Sequence, residues 1–319
     1  MKIRILHTSA WFLFFVLLAQ AVVPLDRQDY YNLDMEKALW VKKKIFGDNK
    51  DYHTVFLGTS HSFGAIDPRI ILPQQAREGT ALNMSIYFGG RNLYYIFARD
   101  LLANHRVKNL VLEICSDKPT HDFHPAYRFY CNTRDVFTSP PVSVQFFALY
   151  HKKELTIRIA DICAALLKPP VIFLRAKFGS PQTHSITFEK TMGYGNQDHD
   201  PNMAEKVSHA FSLDPVRVEK AQDERHFFEP SYADWFSHVR KISELAQGQG
   251  TRLYILYLPS RNAPIPPDGF IEELSRHGTF IIPELEKIYR HDLWFDEGHL
   301  NSKGAYILSH DLREWFRDR

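Results

Sequence analysis

Short apolar runs alternate with amphipathic stretches in the first and last thirds of the chain. Short runs with several apolar residues are typical of buried strands, and such runs lie at residues 53–57, 81–85, 109–114, 251–258 and 279–282. Apolar residues at helical spacing lie between or after them, at residues 93–102, 232–246, 271–276 and 305–316. Because strands alternate with helices, the sequence predicts an α/β fold, a single doubly wound domain with a mostly parallel sheet.

An amphipathic helix is predicted just before the first strand. Within residues 33–46, helical spacing places four apolar side chains on one face, namely Met35, Ala38, Leu39 and Phe46. We expect this helix to lead directly into the α/β domain.

The middle of the chain departs from the alternation of strands and helices. Residues 117–230 contain helical stretches, which are followed by a polar segment at residues 193–201. We interpret this region as a largely helical insertion that lies over the sheet of a domain spanning residues 26–319. Loops of this length in a compact fold are usually lids or binding walls, or else mobile.

The first 25 residues differ in character from the rest. Lys2 and Arg4 precede an apolar run at residues 5–25, and a small-residue A-x-A triplet lies near its end, at residues 19–21. This pattern predicts an export signal, which is either a cleaved signal peptide or a retained membrane anchor. Positive charge ahead of the apolar run predicts that the remaining residues face the periplasmic or extracellular side.

Charge narrows the class of partner. The 319 residues include 39 basic and 37 acidic side chains, which gives a formal charge of +2. The basic residues do not form the stripe that would neutralise a phosphate backbone. Nucleic acid is therefore not an expected partner.

The cysteines leave two possibilities open. In an oxidising compartment Cys115 and Cys131 either close a disulfide or remain thiols, and Cys163 lies on a predicted apolar helix. The spacing of cysteine and histidine residues does not match that of a structural zinc site. The sequence therefore predicts neither a metal nor a cofactor.

A hydroxyl-rich turn follows the first predicted strand. Residues 58–62 read Gly-Thr-Ser-His-Ser and come directly after residues 53–57. In an open α/β sheet, ligands bind beyond the carboxyl ends of the strands, so Ser60 is placed to attack a bound substrate. The alternative is that Thr59, Ser60 and Ser62 only cap a helix, which is the commonest task of such residues.

An aspartate and a histidine precede the final predicted helix. Asp296 lies three residues before His299, on a glycine-containing turn where both side chains can point toward one site. A serine nucleophile needs a base to take its proton, and the base needs a group that orients it. His299 is therefore the candidate base for Ser60, with Asp296 orienting its ring. The alternative is that both are ordinary surface residues of the turn.

These segments resemble the first and last blocks of the SGNH/GDSL hydrolase superfamily, and more narrowly its membrane-anchored members from bacterial cell envelopes, which act in acyl transfer. The resemblance rests on residues 55–61 and 66–68, on Asn83 with the following Gly89 and Gly90, and on the Asp296–His299 pair. It covers the predicted strands outside the insertion. It implies a sheet with flavodoxin-like layering and a triad of Ser60, His299 and Asp296.

The resemblance also implies hydrogen-bond donors for an oxyanion. Family members use the N–H of the nucleophile and that of a second-block glycine, here Gly89 or Gly90. The asparagine of their third block is missing, because residues 113–117 read Glu-Ile-Cys-Ser-Asp. Loss of such a donor costs about 3 kcal/mol in other enzymes. We expect Asn83 or Arg91 to substitute for it, the alternative being weak or lost activity. His61 either shapes the site or belongs to the cap of the following helix.

Together these features predict an exported serine-dependent esterase or O-acyltransferase that forms an acyl-Ser60 intermediate. The expected substrate is an acylated glycan of the cell envelope or a secreted one, with acetyl as one candidate acyl group. A lipid ester is a further possibility, because the N-terminal segment would hold the domain at a membrane. The alternative is a noncatalytic envelope-assembly protein that keeps the fold and binds a polymer or a protein partner.

Overall fold

A computed structural model describes residues 28–72, 80–87, 92–115, 130–131, 135, 188–195, 230–261 and 263–316. The predicted export segment, most of the predicted insertion, and Cys163 lie outside these residues. The sheet and every side chain discussed below belong to one compact unit, formed from residues 34–143 and 186–319. Among the helices that the structure describes, none combines the length and apolar character needed to cross a membrane.

Five parallel strands form the sheet. They are β1 Tyr52–Leu57, β2 Ala81–Asn83, β3 Val107–Ile114, β4 Arg252–Tyr257 and β5 Thr279–Ile281. Their spatial order is β2-β1-β3-β4-β5, and every neighbouring pair runs parallel. The prediction of an α/β fold with a parallel sheet is confirmed, and each predicted strand is present with bounds that differ by a few residues.

The helices of the described part of the chain connect and cover the strands. They are α1 Gln28–Phe46, α2 Ser60–Ala65, α3 Pro68–Ile71, α4 Asn92–Asn104, α5 Phe188–Thr191, α6 Pro230–Gly248, α7 Asp268–Ser275, α8 Leu285–Ile288 and α9 Ser302–Phe316. A short 3-10 turn lies at His291–Leu293. The four helices predicted between or after the strands are therefore present, at α4, α6, α7 and α9.

The central strands are mostly buried because helices cover them. Every residue of β1 is buried, as expected for a central parallel strand. On one side, Phe316 of α9 meets Phe56 of β1 and Tyr254 of β4 edge-on, with ring centroids 5.8 and 5.2 Å apart. Each fully buried side chain of this size stabilises the fold by roughly 1.5–3 kcal/mol.

Helix α9 is also hydrogen-bonded to the segment that contains α2 and α3. The backbone N–H of Asp67 donates to Ser309 Oγ at 2.8 Å, and Ser309 Oγ donates to the Ala65 carbonyl at 3.3 Å. Ser309 is fully buried, so both bonds are made away from water. The last helix is therefore docked onto the segment that directly follows β1.

Helix α1 confirms the prediction of a helix but not the predicted face. Leu39 and Phe46 are 47% and 55% exposed, whereas Ala38, predicted on the same face, is buried. The buried face instead includes Lys37, Trp40 and Val41. The apolar pattern predicted the wrong face because Lys37 lies within the buried face of α1, whereas Leu39 and Phe46 lie outside it.

The two cysteines that the structure describes are thiols. Cys115 is buried just after β3, and Cys131 is partly exposed; they do not form a disulfide with each other. Of the two possibilities left open by the sequence, the structure therefore has the thiols.

The strand order defines where a crevice forms. In a sheet of order 2-1-3-4-5 the connections reverse direction between β1 and β3, and the crevice lies beyond the carboxyl ends of these two strands. Ser60 follows β1 by two intervening residues, and Glu113 is the second-last residue of β3. Both therefore lie at the crevice.

Candidate active site

The turn after β1 presents the Ser60 hydroxyl. Thr59 is the N-cap of α2, and its Oγ1 accepts a hydrogen bond from the His61 N–H at 3.2 Å. Capping satisfies a backbone donor that would otherwise lack a partner at the start of the helix. Because Thr59 does the capping, the Ser60 side chain is left to make other contacts, and it is partly exposed.

A second turn holds Asp296 and His299. The turn is closed by an antiparallel bridge between Trp294 and Leu300 and by a bond from the Phe295 N–H to the His299 carbonyl at 2.8 Å. Asp296 Oδ1 accepts the N–H groups of Gly298 at 2.8 Å and His299 at 2.7 Å. The carboxylate is thus fixed by the backbone of its own turn.

The two turns meet across 239 residues of sequence. His299 Nε2 lies 2.8 Å from Ser60 Oγ, and His299 Nδ1 lies 2.8 and 2.9 Å from the two oxygens of Asp296. An ionised carboxylate can only accept hydrogen bonds, so Nδ1 carries the proton and Nε2 offers a lone pair to the serine hydroxyl. This is the tautomer that a base acting on Ser60 requires.

The electrostatics of Asp296 match this arrangement. Partial burial by itself raises the pKa of Asp296, but the hydrogen bond and charge of His299 and the two backbone N–H donors outweigh it. The pKa of the Asp296 carboxyl is therefore below its usual value. Asp296 is ionised at neutral pH, as an acceptor for the His299 Nδ1–H must be.

His61 lies beside these three residues. Its ring is buried and meets the ring of His299 edge-on, with centroids 5.2 Å apart. This position is where a residue that shapes the site is expected. Gly89 and Gly90, the predicted oxyanion donors of the second block, lie outside the residues that the structure describes.

Asn83 occupies a different place from the one predicted. It is fully buried, and its side-chain Nδ2 donates to the carbonyls of Ser62 at 2.8 Å and Ile66 at 2.9 Å. Its Oδ1 accepts the Ser85 N–H at 3.0 Å. Because both hydrogens of its amide are used in these bonds, Asn83 holds α2 in place and does not provide the predicted hydrogen bond to an oxyanion.

Glu113 is a site residue that the sequence analysis noted only as a missing asparagine. It is 3% exposed, and it accepts hydrogen bonds from the Thr59 N–H at 2.5 Å and from Ser62 Oγ at 2.9 Å. Thr59 Oγ1 lies 3.0 Å from both of its carboxylate oxygens. The signal in the sequence is a single acidic residue that follows three apolar residues near the end of a strand.

Lys37 is the second polar residue that the sequence analysis missed. Its Nζ is fully buried and donates to the carbonyls of Asn83 and Gly193, both at 2.6 Å. Three aromatic rings surround it, those of Trp40, Phe63 and Phe188, with centroids 4.6, 5.0 and 4.9 Å away. Desolvation lowers the pKa of Lys37 well below its ordinary value.

One group of potential metal ligands lies within the described residues. His61, Glu113 and Cys115 each place one ligand atom within 4.8 Å of the other two. Tetrahedral zinc ligands lie roughly 3.5 Å apart, given bonds of about 2.0–2.3 Å. The Glu113 carboxylate already accepts hydrogen bonds from Thr59 and Ser62, so an ion bound here would share it with these donors.

The arrangement can activate a serine hydroxyl for attack on a carbonyl carbon, because nucleophile, base and orienting group are within hydrogen-bond distance. No protein-family model matches the chain, and it has no match among curated proteins. The likeness to SGNH/GDSL hydrolases therefore stays a prediction that rests on the residues named above.

Proposed function

We propose that this protein is an exported serine-dependent esterase or O-acyltransferase that acts on an acyl group of a cell-envelope or secreted glycan. The observation that carries the proposal is the continuous hydrogen-bond path from Ser60 Oγ through His299 to Asp296, with distances of 2.8 and 2.8 Å. The export signal predicted from the first 25 residues supports the location, and the resemblance to envelope acyl-transfer proteins supports the substrate class.

The first half of the reaction forms an acyl-enzyme. Ser60 Oγ attacks the carbonyl carbon of an acyl ester while its proton moves to His299 Nε2. Asp296 stabilises the resulting imidazolium through Nδ1–H. When the tetrahedral intermediate collapses, the bond between the acyl carbon and the alcohol oxygen breaks. His299 then gives the proton that it took from Ser60 to that oxygen. The alcohol leaves, and the acyl group remains on Ser60.

The second half of the reaction decides between hydrolase and transferase. A second hydroxyl compound enters, gives its proton to His299 Nε2 and attacks the acyl carbon, and the proton then returns to Ser60 Oγ. Water produces a free acid, so the protein is an esterase. A sugar hydroxyl produces a new ester, so the protein is an O-acyltransferase. The same residues serve both outcomes.

Covalent labelling tests the proposal. The purified full-length chain is treated with a fluorophosphonate, and the labelled peptide is mapped, with Ser60→Ala and His299→Ala as the two variants. We expect labelling at Ser60 that is lost in both variants, because phosphonylation needs the hydroxyl and the base that activates it. A folded wild-type protein that does not react would overturn the proposal.

A second candidate function is noncatalytic binding of an envelope polymer or a protein partner. It is favoured by residues 113–117, because this stretch lacks the asparagine that donates to the oxyanion in family members. Retained binding of a glycan by a protein whose Ser60 is unreactive would support this function. An ester panel that includes long acyl chains separates a glycan deacylase from a lipid esterase by chain-length preference.

A further inference from the structure

The buried carboxylate of Glu113 lies under the turn that carries Ser60. A charge that is 3% exposed needs donors to replace water, or its burial is strongly unfavourable. The donors here come from the residue before Ser60 and from the second residue after it, Thr59 and Ser62. Glu113 therefore holds the chain on both sides of the candidate nucleophile.

The direction of these hydrogen bonds is set by the hydrogens available. The Thr59 hydroxyl accepts from the His61 N–H, so its single hydrogen is free to point at Glu113. The Ser62 hydroxyl has one hydrogen, and it lies 2.6 Å from Ser85 Oγ and 2.9 Å from Glu113. The hydroxyl groups of Thr59 and Ser62 thus both lie within hydrogen-bond distance of one carboxylate.

The turn is also pressed closely against the carboxylate. A Cβ at Gly58 would overlap both the Glu113 carboxylate and the Ser62 hydroxyl. Only glycine therefore allows the backbone after β1 to approach Glu113 so closely. The close approach and the hydrogen bonds together leave the turn little freedom to shift.

We propose that Glu113 is a positioning residue that fixes the turn at Gly58–Ser62, so that Ser60 Oγ stays in hydrogen-bond contact with His299 Nε2. The proposal rests on the proposed function. Glu113 is not assigned as a donor to an oxyanion, because its carboxylate oxygens accept hydrogen bonds from Thr59 and Ser62. It acts on the reaction only through the geometry of the nucleophile, which sets how often the hydroxyl lies in line for attack.

The kinetics of fluorophosphonate labelling test the proposal on the full-length chain. Glu113→Gln keeps the side-chain shape but turns an N–H group toward donors. We expect the maximal rate of labelling, kinact, to fall about 10–100-fold with an unchanged inhibitor constant, because only the alignment of Ser60 changes. Glu113→Asp, which keeps an acceptor-only group, should retain more of the rate than Glu113→Gln.

A matched control separates positioning from general destabilisation. Asn109 is fully buried on the same strand, near its other end, where its amide donates to Thr54 Oγ1 at 3.3 Å. Asn109→Ala should lower the thermal unfolding temperature while leaving kinact unchanged. If Asn109→Ala slows labelling as much as Glu113→Gln does, the effect is one of stability and the positioning proposal is overturned.

The remaining outcomes distinguish this proposal from the proposed function. A wild-type protein that is not labelled at Ser60 overturns the function, and with it the role of Glu113. Normal wild-type labelling with an unchanged kinact in folded Glu113→Gln overturns the positioning role alone. If Glu113→Gln does not fold, Thr59→Val removes one donor to the carboxylate, and an unchanged kinact in that variant overturns the proposal.

Discussion

Two carboxylates lie near Ser60, and they differ in how much of each is exposed to solvent. The Asp296 side chain is 36% exposed and contacts a histidine that gains a charge in the proposed reaction. Glu113 is 3% exposed and contacts hydroxyl and amide groups that keep one charge state throughout. A carboxylate that stabilises a charge formed during the reaction can therefore remain partly exposed to solvent. A carboxylate that only holds a backbone turn in place can be buried with its hydrogen bonds formed inside the protein.

We expect the greatest loss of activity when Asp296 is replaced. Asp296→Asn should lower the rate of labelling or ester hydrolysis by about 10⁴-fold, because the amide favours the wrong histidine tautomer. This loss exceeds the one expected for Glu113→Gln. Steady-state hydrolysis of a short-chain aryl ester measures it in parallel with labelling. A loss in Asp296→Asn that is smaller than in Glu113→Gln would reverse the comparison.

The order should be opposite for stability. Glu113→Gln should lower the free energy of unfolding by about 1–3 kcal/mol, because buried donors lose their acceptor. Asp296→Asn should cost under about 1 kcal/mol, since solvent screens this partly exposed pair. Urea unfolding of both variants at neutral pH measures the difference.

The stability contributed by Asp296 should depend on pH in the acidic range. The folded-state pKa of Asp296 is depressed, so its stabilisation is present above the unfolded value of about 3.9 and is lost as pH falls through the folded value. The difference between wild type and Asp296→Asn should therefore shrink below about pH 4. A difference that stays constant from pH 6 to pH 3 contradicts this assignment.

Lys37 is a second buried ionisable residue, to be compared with Glu113. Desolvation depresses its folded-state pKa, so between that value and the unfolded value of about 10.4 the unfolded chain binds more protons. Stability attributable to Lys37 therefore rises with pH in this window, by at most about 1.4 kcal/mol per pH unit. Relative to Lys37→Met, the wild type should gain stability as pH rises from neutral toward 10.

Urea unfolding at several pH values measures this gain. Lys43→Met is the matched control, because it makes the same change on the exposed face of α1. A difference between wild type and Lys37→Met that does not vary with pH would show that burial does not act on the protonation of Lys37.

The sequence predicted those parts of the site that depend on strand ends. Ser60 follows an apolar run, so periodicity places it beyond the carboxyl end of a strand. The alternation of strands and helices likewise predicted the parallel sheet. Asp296 and His299 are assigned to the same site from their chemistry and from the resemblance to SGNH/GDSL hydrolases, because periodicity does not show which turns meet.

The polar residues beneath the turn could not be predicted in the same way. Glu113 lies in a mostly apolar run, and its contacts depend on which face of β3 meets α2 after packing. Asn83 was expected to donate to an oxyanion because the resemblance includes it with Gly89 and Gly90, yet its amide donates to backbone carbonyls of Ser62 and Ile66. Lys37 interrupts the buried face of α1. Each of these roles depends on side-chain direction in the packed fold.

The docking of α9 makes the site depend on the synthesis of this helix. Ser309 bonds the segment at Ala65 and Asp67, and the turn with His299 directly precedes α9. A growing chain in which α9 has not yet been made carries the Ser60 hydroxyl without His299 held in place beside it. If Ser60 acts as proposed, a half-made chain cannot attack esters, and reactivity appears only when the two ends of the domain have closed.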